Sequence, residues 1–347
     1  MKQAYTIITF LLVMLVSSCH KETTGTITQG SVIIVNEGNF GSHTNSDVSI
    51  YDPIKKTISN NLFTQENGFS MGNVAQSLYM IGDTAFIVMN NSARVVVADA
   101  KHNFKYLYNI NIPNSSPRFF IPVGGSRAYV SELYANKIWI VDYRLGTILG
   151  TIPVSGWTEH MLAQNGKIYV EEQTNPGGAS VHALLMIDPT TDHITNTITL
   201  ASDPGSMALT NQGKLLVMTS HQSTPLLNAS LYQIDLLSFS VDRKIDFGTT
   251  RTPNYIRYSS LSDQILFSDS GGIYQMHPTD TVIPTSTFIR SNNWNVYGLN
   301  ADPTTGDIYI SDAVDYQQAS NIMRYSQTGT LIDHFTAGII SNGFVFK

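Results

Sequence analysis

The sequence predicts an all-β chain folded as a seven-bladed β-propeller with four-stranded blades, closed by pairing of the C-terminal strand with the N-terminal blade. Three observations carry this. Short β-branched and aromatic runs recur between clusters of Gly, Pro, Asn and Asp, while no segment after residue 30 sustains an apolar period of 3.6. An apolar strand that ends in a turn recurs seven times, as SIYDP to Asp52, VVVAD to Asp99, IWIVD to Asp142, LLMIDP to Asp188, LYQID to Asp235, IYQMHP to His277 and IMRYS to Ser326, with spacings of 47, 43, 46, 47, 42 and 49. A second apolar run precedes each one: 32–35, 85–88, 128–130, 168–170, 215–217, 265–267 and 308–310. Several strands repeated at a period of about 40 to 50 residues are the blades of a propeller, because one such sheet cannot cover both of its faces alone.

In chain order, Lys2 supplies a charged n-region, Ile7 to Val16 an apolar h-region, and Ser17-Ser18 a small pair before Cys19. Residues 1–18 therefore read as a signal peptide, too short to span a bilayer. Cys19 is the only cysteine and forms no internal disulfide. Its setting, Leu15-Val16-Ser17-Ser18-Cys19, resembles a bacterial lipobox, in which cleavage precedes the cysteine and the thiol is lipidated. The expectation is a protein held to the outer membrane through an N-terminal lipid and exposed at the cell surface. The alternative is ordinary secretion with a free thiol, a liability in an oxidising compartment. His20-Lys21-Glu22 stands where a surface-export signal would follow the lipid, and residues 19–29 form the lipidated cysteine and a polar tether.

Residues 30–347 are the propeller. The 329 residues from Cys19 onward divide by seven into 47, one period. After Ser326 there are 21 residues, and 23 run from Gly30 to Asp52, so the two ends share one blade. SNGFVFK (341–347) is patterned like the innermost strands of other repeats, such as PNYIRY (253–258) and NVYGLN (295–300), and is expected to pair with 31–37. That closure removes an open sheet edge.

Blade topology sorts the loops between two faces. With strands counted outward from the axis, first-to-second turns are short and uniform, as GDT (82–84), GGSR (124–127), QNGK (164–167), NQGK (211–214) and TTGD (304–307). Second-to-third loops on the opposite face vary, being long at 36–47, 171–182, 219–229 and 311–321 and short near 90–93, 132–136 and 268–271. Binding on a rigid scaffold resides in variable loops, so the site is expected on that face, which also carries the blade-to-blade crossovers. The candidate ligand-binding residues there are Asn36, Asn39, Phe40, Gln76, Asn90, Arg118, Tyr134, Trp157, His160, Tyr255, Trp294, Asp312 and Tyr316. Rigid aromatics with a few convergent polar groups suit a ligand or protein interface. A blade aromatic more often packs on its neighbour, but Trp157 and Trp294 sit in crossovers with no apolar run around them to demand burial.

Charged residues make up 13% of the chain, against about 25% usually, while apolar residues reach 42% and aromatics 10%, a composition that folds. The net charge is -6, and no basic cluster exceeds Lys55-Lys56, so nucleic acid is not an expected partner. Enzyme constellations are missing. His43, His160, His182 and His221 lie on different loops without a ligand spacing. Glu171-Glu172 reads as a solvated strand end whose side chains face opposite ways. No G-x-S-x-G, C-x-x-C-H or P-loop occurs. No catalytic residue, metal site or cofactor is expected, although Glu37, Glu159 and Asp312 could approach the axis as in a calcium-assisted lactonase or lyase-type propeller.

RAYVSELYANKIWIVDYRLGTILGTIPV (127–154) resembles the YVTN-type propeller repeat. VNEGNFG (35–41), GNVAQSLYMIGDTAFIVMNNS (72–92), SPR (116–118), DPTTGDIYISDAVDY (302–316) and GIISNGF (338–344) resemble the DUF5074 lipoprotein propellers of gut-type Gram-negative bacteria, over nearly all of 30–347. These include the surface cobalamin-binding lipoproteins of the BtuG type. The resemblance implies a non-enzymatic capture protein that binds cobalamin or a related corrinoid and passes it to a TonB-dependent outer-membrane transporter. Cobalamin is amphipathic and amide-fringed, which suits a broad face of Asn, Gln and Tyr donors around aromatic plates. Long loops at 173–182 and 221–230 depart from the other repeats and reshape that face. A second reading from another class is a protein- or glycan-interaction propeller of the envelope.

Overall fold

The computed structural model describes residues 27–40, 46–176, 178, 180–223 and 226–347. The signal peptide (1–18), Cys19, residues 20–26 of the tether and His43 lie outside the described residues. Seven four-stranded antiparallel sheets form a closed ring. Blade 1 is built from both chain ends: its innermost strand is Ser341–Phe346, followed outward by Val32–Asn36, Asp47–Asp52 and Thr57–Ser59. Blades 2 to 7 each use four consecutive strands, with innermost strands Ala75–Ile81, Pro117–Gly124, Trp157–Gln164, Pro204–Leu209, Asn254–Ser259 and Val296–Ala301. No helix among the described residues is long and apolar enough to cross a membrane.

The expected closure is present, Val32 pairing with Phe346 and Asn36 with Ser341. Asn36 ties it together. Its Oδ1 accepts from Ser341 Oγ at 2.7 Å and from the Gly338 N–H at 3.1 Å, and its Nδ2 donates to Ser49 Oγ at 2.9 Å. A Cβ on Gly338 would lie 2.5 Å from that amide, so only glycine lets the chain pass there.

The second and third strands are apolar on both faces because each blade is covered by two neighbours. Seven buried clusters accordingly fill the seven spaces between adjacent blades. Phe86 of blade 2 stacks on Phe120 of blade 3 at 4.6 Å, and Tyr51 of blade 1 on Phe335 of blade 7 at 4.1 Å. The aspartate that ends five of the seven marker strands has a local cause. Asp52 Oδ1 accepts the N–H groups of Ile54 and Lys55, Asp142 those of Arg144 and Leu145, and Asp235 those of Leu237 and Ser238, forming the turn to the outermost strand.

One element was not legible as a period. Leu62–Asn67 is a single-turn α-helix in the crossover from blade 1 to blade 2, and its Phe63 and Thr64 N–H groups donate to the Asp47 carboxylate. Six residues are too few to display a helical repeat. The variable loops follow expectation, and that of blade 5 carries a small ribbon, Gln222–Ser223 with Leu226–Leu227.

Candidate functional site

All seven innermost strands carry a β-bulge near the end entered from the crossover. The register shifts fall between Val35 and Asn36 opposite Ser341–Gly343, and at Ala75/Ser77, Pro117/Phe120, Thr158/Met161, Pro204/Ser206, Asn254/Arg257 and Val296/Gly298. A bulge sets two residues against one and re-aims a side chain. In the order of the blades the bulge positions are Asn342, Gln76, Arg118 with Phe119, Glu159 with His160, Gly205, Tyr255 with Ile256, and Tyr297. All of them except Ile256, which is buried in the core between blades 5 and 6, line one axial cavity of about 400 Å³. Every blade therefore contributes a bulge residue to a common ring, on the face chosen from loop variability.

The ring is joined across blades. Asn342 Nδ2 donates to the Gln76 carbonyl at 2.7 Å and to Glu37 Oε1 at 2.8 Å. Arg118 Nε donates to both oxygens of Glu159, at 3.0 and 2.9 Å, and its Nη1 to Gln76 Oε1. His160 Nδ1 lies 2.8 Å from Glu171 Oε2, and its ring sits 4.1 Å from that of Phe119. Tyr297 contacts Tyr255 edge-on at 6.5 Å and Tyr316 at 5.7 Å, an aromatic path from the cavity to the surface. Tyr255 holds this place with φ of 50°, a strained backbone for a bulky residue.

The cavity tunes its titratable groups by burial. Glu37 is 7% exposed, and desolvation outweighs its bonds from Asn342 and Tyr297 and the attraction of Arg118, pushing its carboxyl from the ordinary 4.5 to about 7. Burial also drives the Tyr255 and Tyr297 hydroxyls upward, so both are neutral donors, and lowers the guanidinium of Arg257. No group of three His, Cys, Asp or Glu side chains suited to hold a metal occurs among the described residues.

Of the residues expected at a site, Gln76, Arg118, His160 and Tyr255 line the cavity, and Tyr316, 41% exposed, packs on Tyr297 at its edge. Others brace the scaffold. Asn36 holds the closure, Asn90 donates from blade 2 to Ser116 Oγ of blade 3 at 2.8 Å, Asn39 donates to the Tyr316 carbonyl, and Asp312 accepts the Asn295 and Val314 N–H groups. Phe40 and Tyr134 are exposed on the loops. Trp157 meets Tyr134 edge-on at 5.3 Å, away from the cavity lining. Trp294 packs against the apolar cluster between blades 6 and 7, because the apolar neighbours its own segment lacks come from other strands.

Glu171 and Glu172 are not a solvated strand end; both are buried. Glu171 faces His160, while Glu172 Oε1 accepts the Ser155 and Gly156 N–H groups at 2.6 and 2.8 Å and shapes the crossover into blade 4. Glu37 and Glu159 do reach the axis, whereas Asp312 stays in its turn. The lining residues that sequence reasoning left out of the candidate set, chiefly Phe119, Glu159, Arg257, Tyr297 and Asn342, belong to strands that were recognised, and Glu37 to the loop that follows one. What was missing was the bulge, which no residue type announces.

A family model described as a domain of unknown function, DUF5074, matches residues 30–342. The chain belongs to the DUF5074 family. No curated protein matches this DUF5074 chain. Among solved structures it is similar to a quinonprotein alcohol dehydrogenase-like protein of Bacteroides thetaiotaomicron, with a TM-score of 0.68 at 14% identity over 92% of this chain and 78% of that one. It is also similar to the β-propeller domain of Cps50 (Swd1) of Myceliophteria thermophila, with a TM-score of 0.64 at 14% identity over 87% and 99% of the two chains. A dihydro-heme d1 dehydrogenase, NirN, aligns with a TM-score of 0.59 at 12% identity over 91% and 75%. At such identities the likeness is one of fold.

Proposed function

We propose that this DUF5074 propeller is a lipid-anchored, cell-surface capture protein that holds a corrinoid over the axial mouth and hands it to a TonB-dependent outer-membrane transporter without performing chemistry. The observation that carries the reading is the ring of bulge residues, in which amide, guanidinium, carboxyl and phenol groups from different blades converge on one cavity. Such a ring is preformed, so little ordering cost accompanies binding.

A corrin macrocycle is wider than a cavity of about 400 Å³, so it lies across the mouth rather than within it. Its peripheral amides then meet Gln76, Asn342 and Arg118, and its apolar faces meet Tyr316 and the Tyr255–Tyr297 pair. The lipid anchor rests on the lipobox-like Leu15-Val16-Ser17-Ser18-Cys19, and the corrinoid class and the transporter on the resemblance of segments 35–41, 72–92, 116–118, 302–316 and 338–344 to the DUF5074 lipoprotein propellers that include the BtuG type. Isothermal titration of the purified protein with cyanocobalamin and cobinamide tests it. Saturable heat with either ligand supports the reading, and its absence with both rejects it.

The exposed Tyr134, edge-on to Trp157 at the rim, favours a second reading, an interaction propeller for a glycan or protein partner. Binding of an envelope glycan that is lost in Tyr134→Ala, with no response to corrinoids, is its distinguishing outcome.

A further inference from the structure

We infer that the axial cavity contains an oxyanion site built on Arg257, which receives a carboxylate or phosphate group of whatever ligand the propeller takes. Arg257 lines the cavity and makes no ion pair among the described residues. Its hydrogen bonds all leave from Nη1, to Ser206 Oγ at 3.0 Å and to the Ile256 carbonyl at 2.7 Å. These two bonds fix the plane of the guanidinium and leave Nε and Nη2 without a partner among the described residues. That pair is the side-on edge of the fork, the edge that grips a planar oxyanion through two parallel hydrogen bonds.

No carboxylate touches Arg257. Arg118 is paired with Glu159; Glu171, whose Oε2 meets His160 and whose Oε1 has no partner among the described residues, attracts Arg257 only through space; and burial pushes the Glu37 carboxyl up to about 7. A cation held in such a place with no carboxylate in contact is costly, and an anionic ligand bound to it lowers the cost. Arg251, Arg324 and Arg127 each have a carboxylate in contact, Asp269, Asp307 and Asp192, while the half-buried Arg94 and Arg243 donate to carbonyl and amide oxygens away from the cavity.

Space for the anion adjoins the fork. Gly205, next to the Ser206 that holds Arg257, is the one bulge position with no side chain, and a Cβ built there meets nothing within 4 Å. The Tyr255 phenol also lines the cavity and stays protonated, so it adds a neutral donor to the same space. The inference does not depend on the corrinoid reading: cyanocobalamin binding can fail while this site still binds an oxyanion.

The purified full chain is titrated in separate arms with inorganic phosphate and with succinate, at ionic strength held constant with sodium chloride. Heat and the ¹⁵N–¹H signal of the Arg257 Nε are followed, in wild type, Arg257→Gln and Arg257→Lys. The expected result is saturable binding of at least one oxyanion with a shift of the Arg257 Nε signal, weakened on the order of ten- to a hundredfold in Arg257→Gln and also weakened in Arg257→Lys, which keeps the charge and loses the fork. The tighter arm identifies the group. Absence of saturable binding in both arms, or equal affinity in a variant whose circular dichroism and melting match wild type, overturns the proposal. Should Arg257→Gln fail to fold, Arg257→Lys and the Nε signal decide.

Discussion

Glu37 and Asn342, 305 positions apart in the chain, meet through a 2.8 Å hydrogen bond at the rim of the axial cavity. The bond joins the loop leaving the second strand of blade 1 to the C-terminal strand that closes the ring. The contact that completes the fold thus bears on the cavity's charge: the Asn342 bond favours the carboxylate, but burial of Glu37 at this place outweighs it and raises its proton affinity.

That burial gives a pH dependence with a definite sign. Between the ordinary value of 4.5 and about 7 the folded protein holds a proton on Glu37 that the unfolded chain has released. Stability therefore falls as pH rises through that window and is level above it, by about 3 kcal/mol in all. Glu37→Gln should abolish this slope, as read from chemical denaturation at pH 5, 6, 7 and 8; a slope unchanged in the variant would contradict the assignment.

Asn36 should matter for closure and not for ligand. Its amide bonds Ser49, Gly338 and Ser341 and does not line the axial cavity. Asn36→Ala is expected to cost about 1–3 kcal/mol, since it leaves buried polar partners unpaired, with affinity for any axial ligand retained in the folded fraction. Denaturant midpoints with parallel ligand titrations measure both.

The two crossover tryptophans should separate. Trp294→Ala removes packing against the cluster between blades 6 and 7 and is expected to cost about 3 kcal/mol or more. Trp157 rests edge-on against an exposed tyrosine, so Trp157→Ala should be the milder change in melting temperature while altering partner binding at the rim.

Gly205 offers the reverse experiment, adding a side chain to the ring. Its position is open and its φ is not in the left-handed region. Gly205→Leu is expected to leave stability within about 1 kcal/mol and to reduce ligand affinity by filling the cavity. A melting curve with a titration of the same variant reads the two effects apart.

The architecture was legible because its causes are local and repeated. Apolar pairs of strands recur with one period, an aspartate stands at five of the seven outward turns, and the ends sum to one blade. The cavity was legible only where a polar or aromatic residue happened to begin an innermost strand, as at Gln76, Arg118, His160 and Tyr255. Asn36, Asn90 and Asp312 lie close by in sequence yet spend their polar atoms on blade-to-blade bonds and turns. Trp294 shows the converse, since its burial is supplied by strands distant in sequence. Tyr297 and Asn342 escaped because a bulge, which depends on how two strands pair rather than on residue type, decides which way a side chain points.

The most direct test of the account is a calorimetric titration of cyanocobalamin into wild type and into a Gln76→Ala, Arg118→Ala double variant, both checked for an intact fold. The account predicts saturable binding to wild type that weakens tenfold or more when these two ring side chains are truncated. Equal affinity in the folded variant, or no binding to wild type, would contradict the claim that the bulge-lined axial mouth is where this propeller captures a corrinoid.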